Sequence, residues 1–355
     1  MKLRGLTLTL NDACNYRCAY CYKDRSQKAV LGYRRAREAL AFFMPYLTKK
    51  FQISFYGGEP LLAFETIRRL TSFLREQEAL FGKKARLTIT TNGSLLSDEV
   101  IDFLGRERFA VTLSFDGLAQ DKQRLKGSCE QILGRLPALL RRPRLNLSVN
   151  CVFTPETVDD LSGSIRLLLQ SGVGRIFFAL SVLKAWDRPS LVRLGAQLDI
   201  VRRMTLLRYR REGDIPVEYF RDGGSTGIFA CAGGRNWLAI SAEGKLWGCV
   251  FFGDYFYGKE KSRDYRAYCF GSLARFRRNP GPIHARHAPS YSRLSQDNFR
   301  SARGPCFLCP ELEHCAVCPA VAAFSGSPLG SIPDSICEIQ KMRSRQIRKF
   351  QEQYA

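Results

Sequence analysis

Residues 3–21 read LRGLTLTLNDACNYRCAYC, in which an apolar segment leads directly to Cys14, Cys18 and Cys21. The apolar segment predicts a buried first strand, which places the three cysteines in the loop at its carboxyl end. Three thiolates in so short a loop can converge on one iron–sulfur cluster. A structural zinc ion needs a fourth protein ligand nearby, and no cysteine or histidine closely follows Cys21. A 4Fe-4S cube held by three thiolates keeps one iron open, and that iron can chelate the amino and carboxylate groups of a small molecule.

Five further strand patterns follow the loop and alternate with helical patterns. We predict strands at residues 3–10, 52–56, 86–91, 109–115, 145–153 and 175–181, with helices that include 34–50, 63–80 and 129–140. Six alternations of strand and helix predict a parallel sheet with right-handed crossovers. The predicted fold is therefore α/β, a partial (β/α)6 barrel of the TIM type, with its functional groups at the carboxyl ends of the strands.

The pattern changes after about residue 225. A hairpin is predicted from strands at 237–242 and 245–250, which turn at Glu243–Gly244. A stretch rich in proline and arginine (275–305), a dense cysteine segment (306–318), Cys337 and a basic helix complete the chain. We accordingly predict two domains, a barrel at residues 1–225 and a cysteine-rich domain at residues 226–355 that ends in the helix.

The composition restricts the class of protein. The chain has 355 residues, with thirteen cysteines and three histidines. No signal peptide is recognisable, and the longest strongly apolar stretch (39–47) is too short to span a bilayer, so we expect a cytoplasmic protein without membrane contact. Disulfides are disfavoured in that compartment, and clustered cysteines there indicate metal or redox chemistry. The net charge of +22 fits either solvated helix faces or an acidic partner.

The cysteine loop resembles that of the radical S-adenosylmethionine (SAM) superfamily, and the resemblance extends to neighbouring residues. Tyr20 matches the aromatic residue that the family places near the adenine. The second strand ends in GGEP, which matches a family element of the same sequence. The resemblance implies that the backbone of Gly57 and Gly58, together with Glu59, holds the ammonium group of SAM, because glycine lets the backbone approach a ligand closely.

Two further segments look like SAM-binding elements of the family. Asn92 follows the third strand and Ser114 lies at the fourth, and the resemblance assigns them to the ribose and carboxylate of SAM. Asp116 either joins them or caps a turn before Gly117. The resemblance implies that the 4Fe-4S cluster passes an electron to SAM and yields a 5′-deoxyadenosyl radical, which takes a hydrogen atom from the substrate. The task left to the protein is to orient SAM and exclude water.

The later cysteines resemble the SPASM extension of radical SAM enzymes, which carries two auxiliary 4Fe-4S clusters. Two residues separate the last two cysteines of the dense run, where three are usual. The resemblance gives Cys231, Cys249 and Cys318 to one cluster, and Cys306, Cys309, Cys315 and Cys337 to the other. The first cluster then lacks a fourth ligand, so that either Cys269 fills the place or the iron stays open for substrate. Zinc bound by the CxxC pairs is the alternative.

SPASM enzymes act mostly on peptides or proteins, so the leading hypothesis is a maturase that cross-links or oxidises a ribosomal precursor peptide. The positive net charge suits an acidic peptide. Asp222 resembles the candidate base of anaerobic sulfatase-maturating enzymes, or forms a turn before Gly223. A formylglycine-forming sulfatase maturase is therefore the first alternative. An RNA-modifying enzyme is another, although the chain lacks an interleaved basic and aromatic RNA-binding motif. A non-catalytic electron carrier is the last. The expected electron donor is a flavodoxin or ferredoxin.

Overall fold

A computed structural model of the chain describes residues 1–221, 231–294, 299–301, 304–312, 315 and 317–354. Its strands are Leu3–Asn11 (β1), Leu47–Gly57 (β2), Lys84–Thr91 (β3), Ala110–Ser114 (β4), Asn146–Phe153 (β5), Ile176–Leu180 (β6), Trp237–Ile240 (β7), Lys245–Trp247 (β8), Gly271–Ser272 (β9), Arg300–Ser301 (β10), Gly304–Pro305 (β11) and Ser331–Ile332 (β12).

The α-helices are Tyr33–Phe43 (α1), Phe64–Phe81 (α2), Asp98–Arg106 (α3), Gln120–Gln123 (α4), Ser128–Leu140 (α5), Leu161–Gln170 (α6), Arg188–Glu212 (α7), Val250–Tyr255 (α8), Arg263–Tyr268 (α9), Leu273–Arg278 (α10), Pro280–Ser292 (α11), Pro319–Ala323 (α12) and Asp334–Tyr354 (α13). Short 3-10 helices lie at Met44–Tyr46, Pro60–Ala63, Gly117–Ala119, Val158–Asp160 and Cys306–Leu308.

The nine-stranded sheet has the order β6-β5-β4-β3-β2-β1-β7-β8-β9. Strands β1 to β6 are all parallel to their neighbours, and helices lie between them in the chain. Strand β6 is at the edge of the sheet, so the barrel is open. The predicted partial α/β barrel is confirmed, and each of the six predicted strands overlaps an observed one.

Helix α1 is shorter than the predicted helix 34–50. It ends at Phe43, and Met44–Tyr46 form a 3-10 turn before β2 begins at Leu47. Pro45 has no N–H to continue an α-helical ladder, which favours the change of conformation at this point. The prediction for residues 47–50 was therefore wrong, because Leu47 is buried and pairs with Leu3 of β1.

The sheet continues beyond the barrel into the cysteine-rich part of the chain. Strand β7 pairs in parallel with β1, and β7 and β8 form the predicted antiparallel hairpin. Helix α13 packs against α7 of the first part. A second, three-stranded sheet has the order β11-β10-β12. The domain boundary near residue 225 stays a prediction. Strands β1 and β7 come from opposite sides of this boundary, yet they pair with each other in one sheet.

The main core lies between the sheet and the helices that follow its strands. Alternate residues of the barrel strands are fully buried there, among them Leu6, Leu8, Ile53, Phe55 and Ile89. None of the helices in the described ranges has both the length and the apolar character needed to cross a membrane.

Candidate active site

A cavity of about 640 Å³ opens at the carboxyl ends of the barrel strands. The three cysteines of the loop after β1 line it, together with residues at the ends of the following strands. Burial raises the pKa of the Cys14 thiol, and it raises that of Cys18 to about 11. Bound iron holds such thiols as thiolates. The predicted residues that the structure brings to this cavity are Cys14, Cys18, Cys21, Tyr20, Gly57, Gly58, Asn92 and Ser114.

Gly57 and Gly58 let the end of β2 pack directly against the start of the cysteine loop. A Cβ atom would lie 2.4 Å from Asn11 O if placed at Gly57, and 2.2 Å from Ala13 O if placed at Gly58. The Gly58 N–H donates to Asn11 O (2.9 Å), and the Glu59 N–H donates to Ala13 O (2.8 Å). The sequence predicted close approach to a ligand, and the structure shows that the same glycines also allow close approach between two loops.

We expect Gly58→Ala to reduce both stability and bound iron. The added Cβ displaces the Ala13 carbonyl, and hence the cysteine loop, at a cost of about 1–3 kcal/mol in the free energy of unfolding. Denaturation midpoints and iron content after anaerobic reconstitution measure the two effects. Gly134→Ala is the control, because nothing lies within 4 Å of its added Cβ and alanine suits the interior of α5. Equal iron content in the two variants contradicts this role for Gly58.

The Glu59 side chain does not line the cavity. Its carboxylate is fully buried and accepts hydrogen bonds from Thr91 Oγ1 (2.7 Å), the Asn92 N–H (2.7 Å) and the Leu61 N–H (3.0 Å). Burial raises its pKa, and these hydrogen bonds oppose the rise. The structure therefore places Glu59 between the ends of β2 and β3, where it positions Asn92. It does not bring this carboxylate to the place expected for the SAM ammonium group.

Asp116 lies at the centre of a buried polar network. Arg124 forms a bidentate pair with it through Nε (2.6 Å) and Nη2 (2.9 Å). Tyr20 Oη (2.7 Å), Gln123 Nε2 (2.8 Å) and the Val152 N–H (2.8 Å) also donate to its carboxylate. Neither predicted role for Asp116 is seen, because its side chain caps no helix and does not line the cavity. It joins the cysteine loop, α4 and β5 instead.

Arg124 is a site residue that the sequence analysis missed. It lines the cavity together with Ser114 and Tyr20, and its guanidinium lies 5.2 Å from the centre of the Tyr20 ring. Guanidinium and hydroxyl groups are donors that suit a bound carboxylate. The pair with Asp116 engages Nε and Nη2 and leaves Nη1 for such a ligand. No spacing or motif in the sequence distinguishes Arg124 from the many other arginines.

Asn92 is hydrogen bonded to the cysteine loop. Its Nδ2 donates to Asn15 Oδ1 (2.9 Å) and lies 3.8 Å from Cys14 Sγ. Ser94 Oγ donates to Asn92 Oδ1 (2.6 Å) and accepts from Asn15 Nδ2 (2.8 Å). Asn15 and Ser94, which the sequence analysis did not identify, thus connect the end of β3 to the loop that carries the thiols.

Lys23 attaches the cysteine loop to the C-terminal part of the chain. Its ammonium group pairs with Asp12 (3.0 Å) and with Asp254 (2.7 Å), and all three side chains are at least nine-tenths buried. Asp254 belongs to α8, which begins directly after Cys249. The loop of the first cysteine set is therefore bound to the helix that starts beside a cysteine of the second set.

Tyr22 forms a second connection between the same parts. Its ring packs against Phe251 and Phe324, with centroids 5.2 and 5.1 Å apart. Phe251 lies on α8, and Phe324 directly follows α12, whose N-terminal flanking residue is Cys318. Both phenylalanines line the cavity at the barrel mouth. Residues that follow Cys249 and Cys318 within a few positions therefore form part of the wall of the cavity at the barrel mouth.

Cys231, Cys249 and Cys318 surround a smaller cavity of about 130 Å³. Burial raises the pKa of Cys249 to about 12, with further contributions from the Cys318 and Cys231 thiols. Cys269 does not line this cavity; its buried thiol is hydrogen bonded to Tyr265 and to the Gly271 backbone. The structure thus brings together the predicted three cysteines and leaves Cys269 apart from them.

Tyr291 packs beside these three cysteines, and no motif in the sequence indicates this position. Its hydroxyl accepts from the Gly248 N–H (2.7 Å) and donates to Tyr268 O (2.6 Å). A Cβ atom would lie 2.1 Å from the Tyr291 ring at Gly234 and 2.4 Å from it at Gly248. Glycine at both positions therefore lets the ring fit between the segments that carry Cys231 and Cys249.

The remaining predicted set of four cysteines also converges. Burial raises the pKa of Cys306 to about 11, and the nearby Cys315, Cys337 and Cys309 thiols raise it further. Three of these residues pack against a small second core, which contains Phe299, Val317, Ala322, Ile332 and Ile336. All thirteen cysteines of the chain are free thiols.

Two of the three predicted cysteine sets border open volumes. The first three thiols line the cavity at the barrel mouth, and Cys231, Cys249 and Cys318 line the smaller cavity. In the described part of the chain, no three cysteine, histidine, aspartate or glutamate side chains are grouped as a site for one metal ion. Asp222, the predicted base, lies outside the described residues.

An open α/β barrel with three thiols at its mouth is the architecture of a partial-barrel iron–sulfur enzyme. The family model described as Radical SAM superfamily matches residues 8–168, so this part of the chain carries a radical SAM domain. The family implies a 4Fe-4S cluster and SAM as cofactors. The three cysteines after β1 are the residues that fit this cluster.

Solved structures share the fold. Native anSMEcpe with bound AdoMet matches with a TM-score of 0.75 and 15% identity, over 98% of this chain and 99% of that one. SuiB of Streptococcus suis bound to S-adenosylmethionine matches with a TM-score of 0.63 and 15% identity, over 95% of this chain and 77% of SuiB. At this level of identity both comparisons establish the fold alone.

Two relatives are similar in sequence. The radical SAM cyclopropyl synthase TigE of Paramaledivibacter caminithermalis is 22% identical over 183 residues, which are 46% of this chain and 38% of TigE. The GTP 3′,8-cyclase of Xanthomonas campestris is 26% identical over 281 residues, which are 70% of this chain and 79% of that enzyme. The chain thus spans well under half of the length of TigE.

Proposed function

We propose that this protein is a radical SAM maturase that oxidises or cross-links a ribosomal precursor peptide, with two auxiliary 4Fe-4S clusters in a SPASM-type C-terminal region. One observation carries the proposal: residues beside Cys249 and Cys318 form part of the same cavity wall as the first three cysteines. A substrate in this cavity is therefore close to both the SAM site and the first auxiliary set. SuiB, which shares the fold, has been solved with its precursor peptide SuiA.

Each group around the cavity has a role in this proposal. When bound, the first cluster and SAM supply the 5′-deoxyadenosyl radical that removes a hydrogen atom from the peptide. Ser114 and Arg124 bind the SAM carboxylate, and the backbone of Gly57 and Gly58 binds its ammonium group. Tyr20 packs near the adenine, and Asn92 orients the ribose. The barrel wall excludes water, which protects a reactive intermediate from side reactions.

The oxidation leaves one electron and one proton to be removed from the peptide. After loss of the hydrogen atom, formation of the product bond releases the proton to a base, for which Asp222 is our candidate. The later cysteine sets would hold auxiliary clusters, which would supply an acceptor for the electron, and a flavodoxin or ferredoxin is the proposed external redox partner. Because Cys269 lies apart from Cys231, Cys249 and Cys318, we propose that these three thiols would hold the first auxiliary cluster without Cys269, which would leave one of its irons available to the substrate.

Sulfatase maturation is the second candidate. Its support is the match to anSMEcpe, a sulfatase maturase, which covers nearly all of both chains and includes complexes with the peptides Kp18Cys and Cp18Cys. In that reaction a cysteine or serine side chain is oxidised to formylglycine. The two candidates share the SAM cavity and the auxiliary cysteines, so the peptide that is modified distinguishes them.

The test is an assay of anaerobically reconstituted protein with SAM and dithionite. We expect about twelve irons per chain and formation of 5′-deoxyadenosine, together with a mass change in a precursor peptide encoded beside the gene. A sulfatase-derived peptide is the second substrate, and GTP is the control. If protein that carries its full iron content forms no 5′-deoxyadenosine, the proposal that it is an enzyme is wrong. Modification of the sulfatase peptide alone selects the second candidate.

We expect Cys315→Ala to separate SAM cleavage from product formation. The variant loses a thiolate of the second auxiliary set, while the first three cysteines are untouched, so 5′-deoxyadenosine still forms. The yield of modified peptide should fall by at least about tenfold, because the electron has no path away from the substrate. Cys129→Ala is the control, because it also removes a thiol but one that belongs to none of the three predicted cysteine sets. The Cys129 thiol donates a hydrogen bond to Gly117 O (3.4 Å). Unchanged product yield from Cys315→Ala shows that this auxiliary site is not needed for turnover.

A further inference from the structure

Among the residues that the structure describes, strand β6 leaves one edge of the barrel largely unpaired. On the side away from β5, these residues bond only to its first residue: the Ile176 N–H donates to Pro216 O (2.8 Å), and Ile176 O accepts from the Glu218 N–H (2.9 Å). On the β5 side, the Val149 N–H donates to Arg175 O (2.9 Å), and the Ser181 N–H donates to Phe153 O (2.8 Å).

These hydrogen bonds fix the direction of the backbone groups. Odd-numbered residues of the strand face β5, so the even-numbered Phe178 and Leu180 turn their N–H and C=O groups to the opposite edge. No strand of the described chain pairs with them there. This edge has the unpaired donors and acceptors to which an extended peptide adds as a further strand.

A groove of about 350 Å³ runs along this edge, between β6 and helices α12 and α13. Its walls are largely apolar and include Phe178 on one side and Val321, Ile336 and Ile339 on the other. Ala179, Leu180, Val182 and Val321 line both this groove and the SAM cavity. A chain that lies in the groove therefore continues into the cavity at the barrel mouth.

Two buried polar atoms in the groove lack hydrogen-bond partners within the described residues: Tyr219 Oη and Arg343 Nε. The Tyr219 ring stacks on Phe178, with 4.6 Å between the ring centroids. The Arg343 guanidinium lies 5.4 Å from the centre of the Tyr219 ring. Burial raises the pKa of Tyr219, so its hydroxyl stays protonated and can donate. Unsatisfied buried donors are costly, which makes a ligand that accepts from them favourable.

The charge in the groove is positive. Glu218 also lines it, but its carboxylate is paired with Arg175 (2.7 Å) and lies near Arg221 (3.9 Å). Arg343 has no carboxylate partner among the residues that the structure describes. The groove therefore combines an open strand edge, apolar walls and an arginine that a ligand carboxylate can pair with.

We propose that the substrate peptide binds in this groove as an extended strand paired with β6, and that an acidic side chain of the peptide binds Arg343. This inference rests on the proposed peptide substrate and adds the features that select it: an extended segment, alternate apolar side chains and one carboxylate. Tyr219 donates a second hydrogen bond to the bound segment. Specificity then resides in the edge of the barrel and α13, next to the reaction site.

The probes are fluorescein-labelled octapeptides that alternate valine and isoleucine, with glutamate, glutamine or lysine at one position. A fourth probe is the glutamate peptide with its backbone N-methylated at alternate residues. Binding to reconstituted, SAM-loaded protein is followed by fluorescence anisotropy under anaerobic conditions. We expect the glutamate peptide to bind about tenfold more tightly than the glutamine peptide, which is the value of a charge-assisted hydrogen bond. N-methylation should weaken binding by at least about tenfold, because it blocks pairing with β6.

Variants identify the residues responsible. R343Q should remove the preference for the glutamate peptide over the glutamine peptide. Y219F should weaken the binding of both peptides by about three- to tenfold. R345Q is the matched control, since Arg345 lies on α13 but is exposed and outside the groove. Equal affinity for the two peptides, a preference that survives in R343Q, or no binding of any probe overturns the inference. If the enzyme modifies its precursor peptide but the probes do not bind in the groove, this inference is wrong and the proposed function stands. If the probes bind in the groove but no peptide is modified, the proposed function is wrong.

Discussion

Cys18→Ala is expected to abolish 5′-deoxyadenosine formation. Cys18 is the middle one of the three proposed cluster ligands in the loop after β1, and its thiol lines the cavity with Cys14 and Cys21. Two thiolates do not hold a cube at the barrel mouth, so about four irons per chain should be lost. Iron content, the visible spectrum and 5′-deoxyadenosine after reduction with dithionite measure the effect, and we expect a loss of activity of at least about thousandfold.

Cys151→Ala controls for removal of a thiol from the barrel. This residue is fully buried in β5 and belongs to neither later set, so the variant should keep its iron and its SAM cleavage at some cost in stability. The auxiliary sites offer a second comparison, because Cys18→Ala leaves all seven of their predicted ligands in place. If Cys18→Ala still cleaves SAM at the native rate, the assignment of the first cluster is wrong.

Asp116→Asn is expected to destabilise the barrel strongly. The substitution preserves the shape of the side chain but removes the charge that compensates Arg124, which is only 9% exposed. An unpaired buried charge costs about 3–5 kcal/mol in the free energy of unfolding. Tyr20 also donates to this carboxylate, so the cysteine loop loses a fixed contact. Urea denaturation under anaerobic conditions measures the loss.

A surface ion pair provides the matched comparison for this variant. Asp159 and Arg193 lie 2.6 Å apart with about half of each side chain exposed, so Asp159→Asn should cost at most about 1 kcal/mol. The double variant Asp116→Asn with Arg124→Gln should recover part of the stability, because the buried charge is gone. Similar losses for Asp116→Asn and Asp159→Asn contradict the central position that we assign to the Asp116 network.

The sequence was sufficient to predict the barrel because local patterns specify its strands. Each strand is a short apolar run, and the groups at its carboxyl end follow in the next few residues, as with Asn92 after β3. Residues whose partners are distant in sequence were not predictable in this way. Arg124 acquires its position only through Asp116 and the Tyr20 ring, and no periodicity marks it. Glu59 was assigned to the cavity because its partners on β3 are not visible in the sequence.

The later cysteines show the same division. The family resemblance implied which thiols come together, and the structure places Cys231 and Cys318 near Cys249, and Cys309, Cys315 and Cys337 near Cys306. The ligand assignment itself stays a prediction. The packing that holds the first set did not follow from the order. Tyr291 is 42 residues beyond Cys249 in the numbering and fits only because Gly234 and Gly248 lack side chains. Such contacts depend on the full three-dimensional arrangement of the chain.

Strand β1 has a neighbour on each side, β2 from the first part of the chain and β7 from the second. Trp237 of β7 covers Gly5 and donates to Thr7 Oγ1 (2.9 Å). A fragment that stops before β7 would expose a long apolar strand with free backbone groups, the kind of edge that self-associates. Deletion of the second half is therefore expected to produce aggregated protein, so the activity of the first half has to be measured in the intact chain.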